Sequence, residues 1–119
     1  MKALFVAIII ALLVLLLVKT KEEKKIMDKG KDIVNKTKTI ANDIAIRNIM
    51  NALDQYYNDN EKYPDDLEEL LPYYLKTKND LIDSWGNKYR LENIDDEWYL
   101  ISAGKDKKFD TNDDIKRRL

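Results

Sequence analysis

The residues with the clearest capacity for chemistry are four aspartates near the end of the sequence. Asp106, Asp110, Asp113 and Asp114 fall within nine residues, and Asn112 lies among them. Two carboxylates about 5 Å apart repel by roughly 3 kcal/mol at an effective dielectric constant near 20, so a folded loop that gathers several of them needs a cation. Oxygen donors of this kind suit a hard ion, calcium before magnesium. The alternative is a solvated turn, the ordinary role of an acidic segment that contains Asn.

The spacing of these aspartates does not match the EF-hand, the best-known calcium motif. Asp110, Asn112 and Asp114 have the spacing of the first three EF-hand ligands. However, Ile115 stands where the sharp turn of that loop requires Gly. A cation site in this segment therefore has a different design.

The composition argues against several classes of function. The 119 residues include 21 Lys and Arg and 22 Asp and Glu, a net charge of −1, whereas a nucleic-acid-binding protein shows a basic excess. His and Cys are absent, so neither Ser-His nor Cys-His catalysis is possible and a disulfide scaffold is excluded. The sequence also has no Gly-rich phosphate loop. We therefore expect no enzymatic activity, no nucleic-acid partner and no small-molecule substrate.

Residues 3–18 form an uninterrupted apolar run between Lys2 and Lys19. As a helix this run spans about 24 Å, slightly less than the ~30 Å hydrocarbon core of a bilayer. The flanking lysines can snorkel and cover the difference. A cleaved signal peptide would end in small residues, but Val18 is followed by Lys-Thr-Lys-Glu-Glu. The sequence therefore predicts an uncleaved transmembrane anchor over residues 1–19.

The segment that follows the anchor, residues 20–42, is rich in lysine and poor in apolar residues. Six lysines lie between positions 19 and 31, and the positive-inside rule alone would leave them in the cytoplasm. Apolar pairs recur only once every seven residues, as at Ile26-Met27 and Ile33-Val34. This pattern favours a solvated helical spacer. The alternative is a semi-flexible linker, because Gly30 weakens a helix by about 1 kcal/mol relative to Ala.

Residues 43–119 carry the signals of a small α+β head that would position the aspartates. A short second helix is predicted from a cap at Asp65 or Asp66 to Pro72, which ends it. Residues 89–92 and 98–102 alternate as the strands of an antiparallel hairpin, and a third strand is predicted around residues 115–118. The first helix of this head has a wide apolar stripe at helical spacing and ends near Asn60. That stripe comprises Ile40, Ala41, Ile44, Ala45, Ile49, Ala52, Leu53 and Tyr56.

Four motifs follow one another in a specific order between residues 43 and 115. They are Ala52-Leu-Asp-x-Tyr56, Asp59-Asn60-x-x-Tyr63-Pro64, Asp83-x-Trp85-Gly86-Asn87-x-Tyr89, and Trp98-Tyr-Leu-Ile-Ser-Ala-Gly-x-Asp106 closed by Thr111-x-Asp113-Asp114-Ile115. The series resembles the C-terminal region of the major pseudopilin of type II secretion systems and its pilin-like relatives. The resemblance implies a pilin-like α+β fold. One long N-terminal helix would serve as anchor and spine, followed by a short second helix and a small antiparallel sheet closed by a calcium loop.

The same resemblance gives the acidic segment a set of calcium ligands. Lys107 and Asp110 stand where relatives often have Gly. The ion would be structural, because a head of 77 residues without disulfides buries only a small core. Carried over by position, the ligands are three side chains and two backbone carbonyl groups, those of Asp106, Asp113 and Asp114 and those of Ala103 and Thr111.

The N-terminus departs from the family pattern and leaves two functions open. Prepilins of this family resemble one another in a Gly-Phe-Thr-Leu-x-Glu signal that a prepilin peptidase cuts. Here no Gly precedes the apolar run and no Glu lies within it. The resemblance implies a subunit or accessory of a type II secretion or type IV pilus-like machine. Such a protein would be a single-pass protein of the cytoplasmic membrane, in contact with other pilin-like subunits or secretion-machine proteins, with its head outside the cytoplasm. The alternative is a free-standing anchored binding module that never enters a filament.

Overall fold

A computed structural model describes all 119 residues of the chain. It begins with one long helix, α1, at Lys2–Asn60. The chain divides into two compact units, Met1–Thr37 and Lys38–Leu119, and α1 contributes to both. The second unit is called the head below.

The first unit is the N-terminal part of α1. Residues 1–34 are all exposed, so the apolar side chains of residues 3–18 have no cover from the protein. The helix is long and apolar enough to cross a membrane once. A helix that is apolar on all sides is buried in a membrane or in a large core. The exposed apolar segment of α1 therefore indicates a single-pass membrane anchor. Residues 20–37 continue as regular helix.

The core of the head forms on one face of α1. Ile46, Ile49 and Leu53 are almost completely buried there, against Leu70, Leu81, Tyr89 and Leu100 of the rest of the head. The predicted stripe was wrong at its beginning, since Ile40 and Ile44 are exposed. Asn42 and Ile46 are buried instead. The reason is helical geometry: residues 44 and 46 point about 200° apart, and only the face that carries 46 meets the remainder of the head.

A short helix follows α1, as predicted, but it is a 3₁₀ helix at Leu67–Leu70. Asp66 is its N-cap, since its Oδ1 accepts a hydrogen bond of 2.9 Å from the N–H of Glu68. Glu69 completes a capping box by accepting from the N–H of Asp66. A second 3₁₀ helix at Lys78–Leu81 was not predicted, and it buries Leu81 in the core.

Three antiparallel strands form the sheet in the order β1-β2-β3. The strands are β1 at Arg90–Ile94, β2 at Glu97–Ser102 and β3 at Ile115–Arg118. The β1–β2 turn is shorter than predicted and consists of Asp95 and Asp96, with φ of 53° and 65°. Two consecutive positive φ values are typical of the type I′ turn, whose twist matches that of paired strands. The fold is therefore α+β, with one long apolar N-terminal helix and a small antiparallel sheet.

Candidate functional site

The four aspartates lie in one connection between paired strands, residues 103–114, which we call the acidic loop. It leaves β2 after Ser102 and enters β3 at Ile115, and these two residues are opposite each other in the sheet. Gly104 lies against the far end of the loop with φ of 73°. A Cβ atom there would come within 2.3 Å of the carbonyl oxygen of Asp113. Only glycine therefore allows the two ends of the loop to approach so closely.

The carboxylates of the acidic loop accept hydrogen bonds from its own backbone. Oδ2 of Asp113 accepts from the N–H of Asp106 at 2.9 Å, and Oδ2 of Asp114 accepts from the N–H of Asp110 at 2.7 Å. Oδ1 of Asp106 accepts from the N–H of Lys108 at 2.9 Å. Hydrogen bonding by the Thr111 hydroxyl and by that N–H holds the pKa of Asp106 below its usual value. Asp106 therefore stays ionised to a lower pH than a free aspartate.

Two residues of the loop adopt the left-handed backbone conformation that favours glycine. Lys107 has φ of 61° and Asp110 has φ of 64°. These are the two positions at which the resemblance places Gly in relatives. Asp visits this region more readily than Lys because its short polar side chain can bond locally. The loop thus combines a glycine-like backbone with charged side chains at both positions.

Arg90 of β1 contacts the tip of the acidic loop. Its guanidinium carbon lies 3.9 Å from the centre of the Phe109 ring, a cation–π geometry. Its Nη1 also lies 3.5 Å from Oδ2 of Asp110. Sequence reasoning missed this contact. The available signal was Phe109 itself, a single aromatic residue inside an otherwise acidic and basic segment.

Asp83 anchors the beginning of the acidic loop from the turn before β1. It is buried, and its carboxylate accepts hydrogen bonds from the N–H groups of Trp85 and Asn87 at 3.0 and 2.8 Å. It also accepts from the Ser102 hydroxyl at 2.8 Å. The oxygen of that hydroxyl accepts from the N–H of Gly104 at 3.3 Å. The sequence analysis named Asp83 only as part of a motif and missed this role, because a separation of 19 residues hides the partnership with Ser102.

The structure brings the predicted ligands together in pairs. Asp113 is bonded to the backbone of Asp106, and Thr111 Oγ1 lies 3.5 Å from Oδ1 of Asp114. Ala103 is completely buried where the loop begins. Three or more acidic side chains do not converge on one point anywhere in the structure.

The donor chemistry of the loop still fits calcium. All the candidate ligands are oxygen atoms, which hard cations prefer. Each carboxylate has about four lone-pair sites, so a single backbone hydrogen bond leaves capacity for an ion. Asp106 and Asp113 are exposed, and a cation can reach both from solvent.

Comparison with known families covers most of the chain. The family model described as type II secretion system (T2SS), protein G, matches residues 26–118, which include all four motifs and all of the head except Leu119. No curated protein and no solved structure matches the chain. The family match, the long apolar N-terminal helix and the three-stranded antiparallel sheet agree with one another. The chain therefore belongs to the family of type II secretion system protein G, the major pseudopilin.

Proposed function

We propose that this protein is a membrane-anchored structural subunit, or an accessory, of a type II secretion or type IV pilus-like machine, and that it acts through protein contacts. One observation carries the proposal: a head matched by the protein G family follows an exposed helix that is apolar enough to cross a membrane. Catalysis has no role in this proposal, since the chain lacks His and Cys and the family is structural.

Contacts with other subunits have a suitable surface on the first unit. Ile26, Met27, Ile33 and Val34 are all exposed on α1 beyond the apolar run. Exposed apolar side chains that recur along one helix favour packing against another helix. We propose that this stripe packs on pilin-like neighbours in the assembled machine.

Crosslinking in membranes tests the assembly. Because the chain has no Cys, Ile33→Cys gives a single thiol on the apolar stripe, and Lys31→Cys is a matched control about 200° away around the helix. Because a bis-maleimide joins two thiols and each chain has only one, we expect a covalent dimer from Ile33→Cys and mainly monomer from Lys31→Cys. Monomer alone from both variants, in cells that contain the complete machine, would contradict filament assembly.

The alternative function is a free-standing anchored binding module. The absence of a Glu within the apolar run favours this alternative, because the family's prepilin signal contains one. The intact mass of the membrane-extracted protein shows whether its N-terminus is cut, as the N-terminus of a prepilin is. We expect an N-terminus at or before Ala3, and a mature N-terminus after that position would show that the anchor is processed.

We propose that calcium stabilises the acidic loop when it binds there. The ligands would be the carboxylates of Asp106, Asp113 and Asp114 and the carbonyl groups of Ala103 and Thr111. A bound cation would neutralise repulsion among these aspartates. An ion that binds only the folded head stabilises it by mass action. The exposed position of the loop and its all-oxygen donors support this role.

We further propose that the head lies outside the cytoplasm and that the anchor lies in the cytoplasmic membrane. A weak calcium site fills at millimolar calcium outside the cell and stays empty at cytosolic levels. The lysines after the anchor favour the opposite orientation. Protease added to intact spheroplasts should therefore digest the head while a cytosolic control survives. Complete protection of the head until the membrane is broken would contradict this location.

A further inference from the structure

Three of the lysines that follow the apolar run share one face of α1. Lys21, Lys24 and Lys25 line the same shallow groove, together with Lys29, Asp28 and Asp32 farther along. At about 100° per residue, Glu23 points away from the first three lysines, and Glu22 lies at the edge of their face, about 60° from Lys25. Between Lys21 and Lys25 this face therefore carries lysines, with acidic residues at its edge and beyond it.

These lysines are exposed and free of ion pairs. Lys21, Lys24 and Lys25 are all exposed, and the ion pairs of the structure all lie in the head. Glu22 and Asp28 stand at helical spacing from Lys25, and Asp28 also from Lys24, but neither forms an ion pair with them in the structure. The ammonium groups of Lys21, Lys24 and Lys25 therefore have no ion-pair partner within the chain.

Their distance from the apolar run places these ammonium groups at the membrane surface. Along a helix, Lys21 lies about 4 Å beyond Val18, and Lys24 and Lys25 lie about 9 and 10 Å beyond it. The polar layer of a bilayer is about 5–8 Å thick on each side, and lysine side chains can snorkel toward it. The three ammonium groups can therefore reach the lipid phosphates.

We propose that Lys21, Lys24 and Lys25, called the lysine face, bind the phosphate headgroups of anionic phospholipids. The inference rests on the proposed membrane anchor. An acidic protein segment would have similar chemistry, but the lysine face begins only three residues after the apolar run. At that level lipid phosphate is the anion that surrounds the helix on all sides. Clustered lysines next to a membrane helix attract anionic lipids in this way.

The test uses the full chain in nanodiscs of equal parts phosphatidylglycerol and phosphatidylethanolamine. The protein is released into mild detergent, and native mass spectrometry counts the lipids that it retains. We expect phosphatidylglycerol to be retained at least fivefold over phosphatidylethanolamine, about the factor expected for one lysine at an anionic surface. The preference should fall at high salt, where the Debye length is only about 3 Å at 1 M.

Matched double variants separate the effect of where the lysines lie along α1 from the effect of total charge on the lipid preference. Lys24→Gln/Lys25→Gln removes two charges from the lysine face and should abolish the preference. Lys31→Gln/Lys36→Gln removes two charges about 20 and 27 Å beyond Val18 and should leave it unchanged. Equal retention of both lipids by the wild type would overturn the inference and favour a protein partner for this face. An equal loss in both double variants would overturn it as well, since total charge alone would then be responsible.

A separate measurement distinguishes failure of the anchor from failure of the lipid preference. The full chain should float with vesicles of either lipid after an alkaline wash. If it does not float, the proposed anchor is wrong and the lysine face has no membrane to bind. If it floats but shows no lipid preference, only the lysine face is refuted and the anchor stands.

Discussion

Asp83 is linked through Ser102 to Gly104, at the start of the acidic loop, but it is buried whereas Asp106 and Asp113 in that loop are exposed. Asp83 is buried and accepts hydrogen bonds from two backbone N–H groups and the Ser102 hydroxyl. Asp106 and Asp113 are exposed, and each accepts a bond from a backbone N–H of the loop. The protein alone supplies the donors that a buried carboxylate needs at Asp83. In the acidic loop the remaining lone pairs face solvent, where a cation can bind.

This difference separates two roles for aspartate in the same head. A buried carboxylate with charge-assisted hydrogen bonds fixes one geometry, and its loss leaves several buried donors without acceptors. An exposed carboxylate contributes little by itself, but it can respond to the concentration of an ion. The head thus has a rigid attachment at the start of the acidic loop, and we propose that the segment beyond it responds to calcium.

The largest effect is expected at Asp83. Asp83→Ala leaves the N–H groups of Trp85 and Asn87 and the Ser102 hydroxyl without their acceptor, and we expect a loss of about 2–4 kcal/mol in the free energy of unfolding. Asp83→Asn keeps one acceptor oxygen and should lose roughly half as much. Urea unfolding of the head, with calcium and with chelator, measures both. A loss below about 1 kcal/mol for Asp83→Ala would show that the buried network is not what attaches the loop.

Calcium should have the next largest effect. The soluble head should begin at Lys38, where the second unit begins, because a start at Asp43 would remove buried Asn42, which accepts a hydrogen bond from the Tyr89 hydroxyl. With an affinity of roughly 10⁻⁴ to 10⁻³ M, calcium at about 1 mM stabilises by about 0.4–1.4 kcal/mol. For a domain of this size the melting temperature should rise by several degrees, which differential scanning fluorimetry can measure.

Two variants decide whether the acidic loop is responsible for the rise in melting temperature with calcium. Asp113→Ala should remove the difference between calcium and chelator. Asp110→Asn removes a charge from the same loop without touching a proposed ligand, and it should preserve that difference. If the wild-type melting curve is the same in calcium and in chelator, the structural-ion proposal fails.

The sequence alone predicts most elements of the head but few of the contacts between them. Asp66, one of the two predicted helix caps, and the predicted third strand at Ile115–Arg118 are confirmed, and capping in particular is a local property of sequence. The predicted burial of Ile44 was wrong, because the orientation of a stripe depends on which face the sheet covers. The bond from Ser102 to Asp83 and the contact of Arg90 with Phe109 join residues distant in sequence, and no local pattern shows which residues pair.

The smallest effect is expected at Arg90, which contacts the acidic loop from β1. The cation–π contact with Phe109 is worth about 0.5–1 kcal/mol at an exposed site, and the ion pair with Asp110 adds little because both side chains are exposed. Arg90→Ala should therefore release the loop tip and weaken calcium binding by about two- to fivefold. Arg90→Lys keeps the charge but loses the planar stack, so its affinity should lie between that of Arg90→Ala and the wild type.

The role of the contact between Arg90 and Phe109 shows in how much stability Arg90→Ala loses with calcium and with chelator. If Arg90 holds the loop in its calcium-binding form, Arg90→Ala should lose more stability in calcium than in chelator, because the open loop forfeits the binding energy of the ion as well. Calorimetric titration of the head with calcium gives the affinities, and thermal melts in both conditions give the stabilities. An unchanged affinity together with equal losses in the two conditions would mean that Arg90 only packs on Phe109. The acidic loop would then owe its shape to its own backbone hydrogen bonds and to Asp83.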